Sequence, residues 1–146
     1  MFEKLEHLGI AVKNIEKANP LFASLLGGSY YKMEGVESEG VKTAFYDGGN
    51  VKIELLEATT ENSPIQKFID KRGEGLHHVA FEVEDIEKSM AELREKGIRL
   101  LNEKPKDGAD NKLICFLHPK DTNGVLIELC QDKGKVIKPL SFEEEE

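Results

Sequence analysis

Two histidines and two glutamates in this 146-residue chain stand at matching places in a repeat. His7 lies in Glu6-His7-Leu8-Gly9-Ile10-Ala11-Val12, and His78 in a fuller copy, Gly75-Leu76-His77-His78-Val79-Ala80-Phe81-Glu82-Val83. With His7 laid over His78, Val12 falls on Val83, Ile15 on Ile86 and Lys17 on Lys88. At the far end of each copy Val51-Lys52-Ile53-Glu54-Leu55 matches Val125-Leu126-Ile127-Glu128-Leu129, so His and Glu are 47 residues apart in one copy and 50 in the other. Imidazole nitrogens with carboxylate oxygens are a donor set for one divalent transition metal ion. A lone histidine near a strand start is usually structural, and a lone glutamate on a strand usually faces water. The shared register turns the four into one candidate metal site: His7, Glu54, His78 and Glu128. His77 is one residue off register, reads as facing away from His78, and is set aside as a non-ligand. His118 has no counterpart in the repeat and reads as a loop residue, with a place lining the substrate entrance as the alternative.

The elements that must position these side chains follow from periodicity. Leu5 to Val12 alternates, with Leu8, Ile10 and Val12 on one face and His7, Gly9 and Ala11 on the other. Small residues two positions after each histidine, Gly9 and Ala80, leave room beside the imidazoles. Asn14 reads as an N-cap, followed by a helical stripe of Ile15, Ala18, Leu21, Phe22, Leu25 and Leu26 that stops at Gly27-Gly28. Pro20 falls inside that pattern. A strand around 29–33, an acidic loop 34–40 and a hairpin of 41–46 with 51–56 through Asp47-Gly48-Gly49-Asn50 complete the first module. Ser63-Pro64 opens a short linker helix. The second module repeats the plan, with a strand 76–83, Asp85 as N-cap, and a helix carrying Ile86, Ser89, Met90 and Leu93 inward. A strand 98–101, a charged loop 104–111 and closing strands 112–117 and 125–130 follow. In the closing strands Glu54 and Glu128 alternate with the apolar residues, so they point away from the core face.

The reading is one domain of class α+β, made of two tandem βαβββ modules. Module one covers about 4–57, a linker helix 58–75, module two about 76–131, and a tail 132–146 ends in the acidic run Glu143 to Glu146. A formal charge of −8 argues against nucleic-acid binding by charge. No apolar run approaches a membrane span and the N-terminus lacks a signal-peptide pattern, so a cytoplasmic protein is expected. Cys115 and Cys130 form no metal-type pair and read as buried reduced thiols.

The strings H-L-G-I-A-V, K-I-E-L-L-E, S-P-I-x-K-F, G-E-G-L-H-H-V-A-F-E-V and F-L-H-P-K-D-x-x-G-V-L-I-E-L extend over about residues 4–131. On them the chain resembles the vicinal-oxygen-chelate (glyoxalase/bleomycin resistance/dioxygenase) superfamily, and within it the methylmalonyl-CoA epimerases. The resemblance implies a cup-shaped, incompletely closed mixed β-sheet with helices outside, and one divalent ion, Co, Zn, Mn or Ni, held by His7, Glu54, His78 and Glu128. Family members often carry Gln at the second of these places, so Glu54 adds a negative charge. The implied activity is interconversion of the two epimers of methylmalonyl-CoA through a metal-stabilised enolate, with Glu128 and Glu54 as candidate acid/base groups. Some family members carry an acid where this chain has Thr43. A small acyl-CoA substrate and a homodimer are also implied. The alternatives within the fold are a glyoxalase I-type lactoylglutathione lyase and a non-catalytic small-molecule-binding module. No motif marks a CoA site; Lys104, Lys106, Lys112 and Lys120 cluster in the second module's loops, where they are candidates to meet phosphates, though ordinary solvated lysines are the favoured reading.

Overall fold

The structure is a computed structural model that describes residues 2–134; the acidic run at 143–146 lies outside them. The described elements are strands β1 (Lys4–Ala11), β2 (Lys32–Val36), β3 (Val41–Asp47), β4 (Lys52–Ala58), β5 (Gly75–Glu82), β6 (Lys106–Gly108), β7 (Lys112–Phe116) and β8 (Ile127–Asp132). Helices α1 (Ile15–Leu26), α2 (Pro64–Arg72) and α3 (Ile86–Glu95) are interspersed so that each half reads βαβββ, with α2 between the halves. The class is α+β and the sheet is mixed, as expected: β1 and β4 run parallel, while β2 with β3, β3 with β4, β6 with β7 and β7 with β8 run antiparallel.

The chain groups into two compact units. One is Glu6–Val79; the other joins, among the described residues, 2–5 to 80–134. In the first the strand order is β2-β3-β4-β1-β5, and in the second β5-β8-β7-β6, with β5 passing from one into the other. The first unit packs Val12, Ile15, Ala44, Tyr46 and Leu55 together, with Phe22 and Leu26 of α1 against them. The second packs Val83, Ile86, Met90, Leu93, Cys115, Leu117 and Leu129.

The repeat is visible in how each helix is tied to its closing strand. Asn14 Oδ1 accepts the Lys17 N–H at 2.9 Å, and Asp85 Oδ1 accepts that of Lys88 at 3.1 Å, the expected N-caps. The first N–H of each helix donates to a side chain three residues past the candidate ligand: Ile15 to Glu57 at 2.8 Å and Ile86 to Gln131 at 2.8 Å. The strand ends match as well, with Val12 N–H donating to Leu56 C=O and Val83 N–H to Cys130 C=O, both at 2.9 Å. In each half the strand that carries a histidine and the strand that carries a glutamate are thus fixed by homologous bonds.

Three expectations need correcting. Leu21 and Leu25 face outward, 58% and 67% exposed, because α1 buries only the narrower stripe of Ile15, Ala18, Phe22 and Leu26. The strand expected at 98–101 is only an isolated bridge, Leu100 with Leu117, and the edge strand lies instead in the charged loop, as β6. The strand expected around 29–33 begins at Lys32, and the acidic segment after it is partly strand and partly a short 3-10 turn, Glu37–Glu39.

Candidate metal centre

Three of the four expected ligands lie within the Glu6–Val79 unit, and two of them, His7 and His78, face each other. His7 in β1, Glu54 in β4 and His78 in β5 are buried, at 4%, 5% and 6% exposure. Parallel pairing of β1 with β4 places His7 opposite Lys52 and Gly9 opposite Glu54, so these four share one face. The Nε2 atoms of His7 and His78 face each other at 3.0 Å, with the rings edge to face. Gly9 makes this possible. A Cβ there would lie 2.3 Å from Cε1 of His78, so the room that Gly9 leaves is filled by the imidazole of the neighbouring strand rather than by that of its own.

The outer edges of both rings are also engaged. Glu6 Oε1 lies 2.6 Å from Nδ1 of His7, and Nδ1 of His77 lies 2.9 Å from Nδ1 of His78. With Nδ1–H donated outward, each Nε2 presents its lone pair inward. A divalent zinc-type ion takes imidazole nitrogen at about 2.0–2.1 Å, and two such bonds to nitrogens at this separation meet near a right angle, so the pair fits around one ion. Glu54 Oε2 stands 3.3 Å from Nδ1 of His7, on the ring edge away from His78. Glu6, His7 and Glu54 form a compact set whose donor atoms all lie within 4.8 Å. Lys52 balances this acidity: its Nζ is 3.1 Å from Glu6 and 3.7 Å from Glu54, and 5.4 Å from the centre of the Phe45 ring. Burial alone raises the Glu6 pKa, but the hydrogen bond from His7 and the charge of Lys52 outweigh it and hold the carboxyl at about 2.

Glu128 belongs to the other unit. It lies in β8, 5% exposed, paired in register with Phe116 of β7. Lys112 and Lys106 share that strand face, Lys112 buried and Lys106 with its Nζ 6.0 Å above the Phe116 ring, so two of the lysines expected to be solvated are packed. Both cysteines are buried, the Cys130 thiol donating to Phe81 C=O at 3.6 Å, and burial, with the Glu128 charge, pushes the Cys115 thiol up to about 12. His118 caps a short turn through Nδ1, which accepts the Lys120 N–H at 3.2 Å, in keeping with a loop role. Thr43 is buried in β3 at 1% exposure and pairs with Glu34 of β2, which puts a carboxylate across from the place where an acid was missing.

Sequence reasoning missed Glu6, Lys52 and the part played by His77. Lys52 was readable, since it lies two residues before Glu54 and so on the same face. Glu6 and His77 were not: alternation sorts Cα–Cβ directions, and it set both residues on the face opposite their neighbours. Their side chains nonetheless reach the Nδ1 edges of His7 and His78, so the expectation that His77 faces away from His78 does not hold.

Known proteins share this arrangement of elements. The chain is 41% identical over 133 residues to the ethylmalonyl-CoA/methylmalonyl-CoA epimerase of Cereibacter sphaeroides, covering 90% of this chain and 99% of that protein. It is 40% identical over 131 residues to the protein YqjC of Bacillus subtilis, with 90% and 94% covered. A structure of Streptomyces coelicolor methylmalonyl-CoA epimerase in complex with 2-nitronate-propionyl-CoA superposes with a TM-score of 0.85 at 35% identity, covering 91% of this chain and 99% of that one. The superfamily pattern itself spans residues 6–116, and the chain belongs to the glyoxalase/bleomycin resistance protein/dioxygenase superfamily.

Proposed function

We propose that this protein is a metal-dependent epimerase that interconverts the two epimers of methylmalonyl-CoA. The observation that carries the reading is the pair of buried Nε2 atoms facing each other at 3.0 Å with both Nδ1 edges already engaged. Similarity to proteins named as epimerases of this substrate supports the choice of reaction. His7 and His78 hold the ion through Nε2, and Glu54 and Glu128 supply carboxylates to it. Glu54 touches the Nδ1 edge of His7 in the present arrangement, so its ligation requires a change of side-chain rotamer. When bound, a divalent ion supplies Lewis-acid stabilisation of the charge that develops on the substrate's oxygens, a contribution of several kcal/mol.

The chain's own residues do the rest. Inversion at the α-carbon requires a proton removed on one face and a proton delivered on the other. Glu128 is the acid/base on one side, and Glu54, its repeat mate, the group on the other, since Thr43 cannot carry a proton in that role. Lys52 beside Glu54 favours the ionised carboxylate that proton removal needs. The reading also includes an acyl-CoA as substrate and a homodimer as the working form.

Solvent exchange tests the function. Metal-loaded protein and methylmalonyl-CoA are mixed in D2O, and deuterium at the α-carbon is followed by mass spectrometry. The expected result is catalysed exchange that disappears in Glu128→Ala. Absence of exchange with Co, Zn, Mn and Ni refutes the epimerase, and turnover of the glutathione–methylglyoxal adduct instead would make the protein a lactoylglutathione lyase.

A further inference from the structure

Glu6 and His77 occupy the same place in the repeat, one residue before each candidate ligand, and both reach the Nδ1 of the ligand that follows. We infer that His77 is a positioning residue for His78: its Nδ1 accepts the Nδ1–H of His78, which fixes the tautomer that presents Nε2 to the ion. This rests on the reading that His7 and His78 hold a metal. An imidazole that ligates through Nε2 must carry its proton on Nδ1, and that proton needs an acceptor when the ring is buried. The atom placed to accept it is Nδ1 of His77 at 2.9 Å, so the His77 proton sits on its own Nε2.

His77 is itself held. Its ring packs edge to face on Phe68 of α2, with centroids 5.0 Å apart, and the guanidinium of Arg72 lies 5.7 Å above Phe68. The linker helix has no counterpart in the repeat, and this contact gives it a role. It orients His77, and His77 orients the ligand. The two halves also differ in kind. Glu6 is an anion and strengthens the donor power of His7, while His77 is a neutral acceptor and strengthens that of His78 less.

The test is the Co²⁺ affinity of the full-length chain, stripped with EDTA and titrated against a chromophoric chelator. His77→Phe keeps a ring on Phe68 and removes the acceptor; His77→Asn loses the ring and keeps an acceptor oxygen. Positioning predicts that H77F binds Co²⁺ about 10–100-fold more weakly than wild type and that H77N stays within about threefold of it. A purely packing role predicts the reverse order, and that order overturns the inference. If H77F does not fold, H77N decides alone: near wild-type affinity supports the inference and a tenfold loss overturns it. A wild-type chain that takes up no Co²⁺ removes the metal reading and this inference with it, whereas wild-type binding with the reversed order removes the inference only.

Discussion

Gly9→Ala is the smallest change that should disable the centre. The added methyl would lie 2.3, 2.6 and 2.8 Å from Cε1, Nδ1 and Nε2 of His78, where ordinary contact begins at 3.4 Å. The ring must therefore move by about 1 Å, and it is not free to do so, because His7 and His77 hold it at 3.0 and 2.9 Å. The backbone raises no objection: Gly9 lies in regular strand β1, and alanine in place of glycine there is worth about 0.5–1 kcal/mol to the fold. A displacement of about 1 Å at a reacting or ligating group commonly costs on the order of 100-fold, equal to about 2.8 kcal/mol. The assay is Co²⁺ affinity by chelator competition beside the α-proton exchange rate, with the melting temperature of the metal-free protein as the control for folding. Affinity and exchange should fall together, and the melting temperature should fall only by what an overpacking cost of about 1–3 kcal/mol leaves after the gain in strand preference. Wild-type affinity and exchange in G9A would refute the placement of His78 against β1.

Glu6→Gln should weaken Co²⁺ binding about 10–100-fold by removing the carboxylate on Nδ1 of His7, measured in the same competition. It should also change the acid stability of the metal-free protein. The folded-state pKa of Glu6 lies below the usual 4.5, at about 2, so its ionised form stabilises the fold above pH 4.5 and that stability is lost as pH falls towards 2. The difference is on the order of 3 kcal/mol, and equal urea unfolding curves for wild type and E6Q across that window would contradict it. Native protein should leave Cys115 and Cys130 unreactive towards a disulfide reagent at pH 8, and denatured protein should titrate both; rapid native reaction would contradict their burial. Stripping with EDTA should abolish α-proton exchange and Co²⁺ should restore it; exchange that survives stripping would contradict a metal-dependent step. Asn14→Ala should cost about 1 kcal/mol in urea unfolding by removing the cap on α1, and no loss would exclude that cap as a stabilising contact.

The sequence revealed the parts of this protein that repeat. The two β-strand and helix starts share a register, their caps are the expected Asn14 and Asp85, and alternation correctly put His7 and Glu54 on one face. What escaped was set by partners distant in sequence. Lys106-Asp107-Gly108 has no β pattern of its own; β7 makes it a strand, and Ile114 lies so close over Gly108 that a Cβ there would stand 2.8 Å from it. Leu21 and Leu25 have the right spacing for a core, but α1 turns a narrower stripe inward than its sequence offers. Glu6 and His77 were hidden for the opposite reason: they sit next to the residues they serve, where strand alternation argues against contact.

The two compact units do not follow the order in which the chain is made. The Glu6–Val79 unit needs the first half of β5, including His78, which is synthesised after the whole of module one and the linker. Residues 2–5 belong with residues that come after position 79, and Glu3 N–H donates to Glu82 C=O at 2.8 Å. On a ribosome the early half therefore waits with the edge of β1 unpaired until β5 emerges, and exposed strand edges invite other partners. A cut in the linker would yield two fragments, each holding a segment that completes the other's unit. What looks in the sequence like two copies set end to end is, as an object to be folded, a pair in which each copy lends the other a short strand segment.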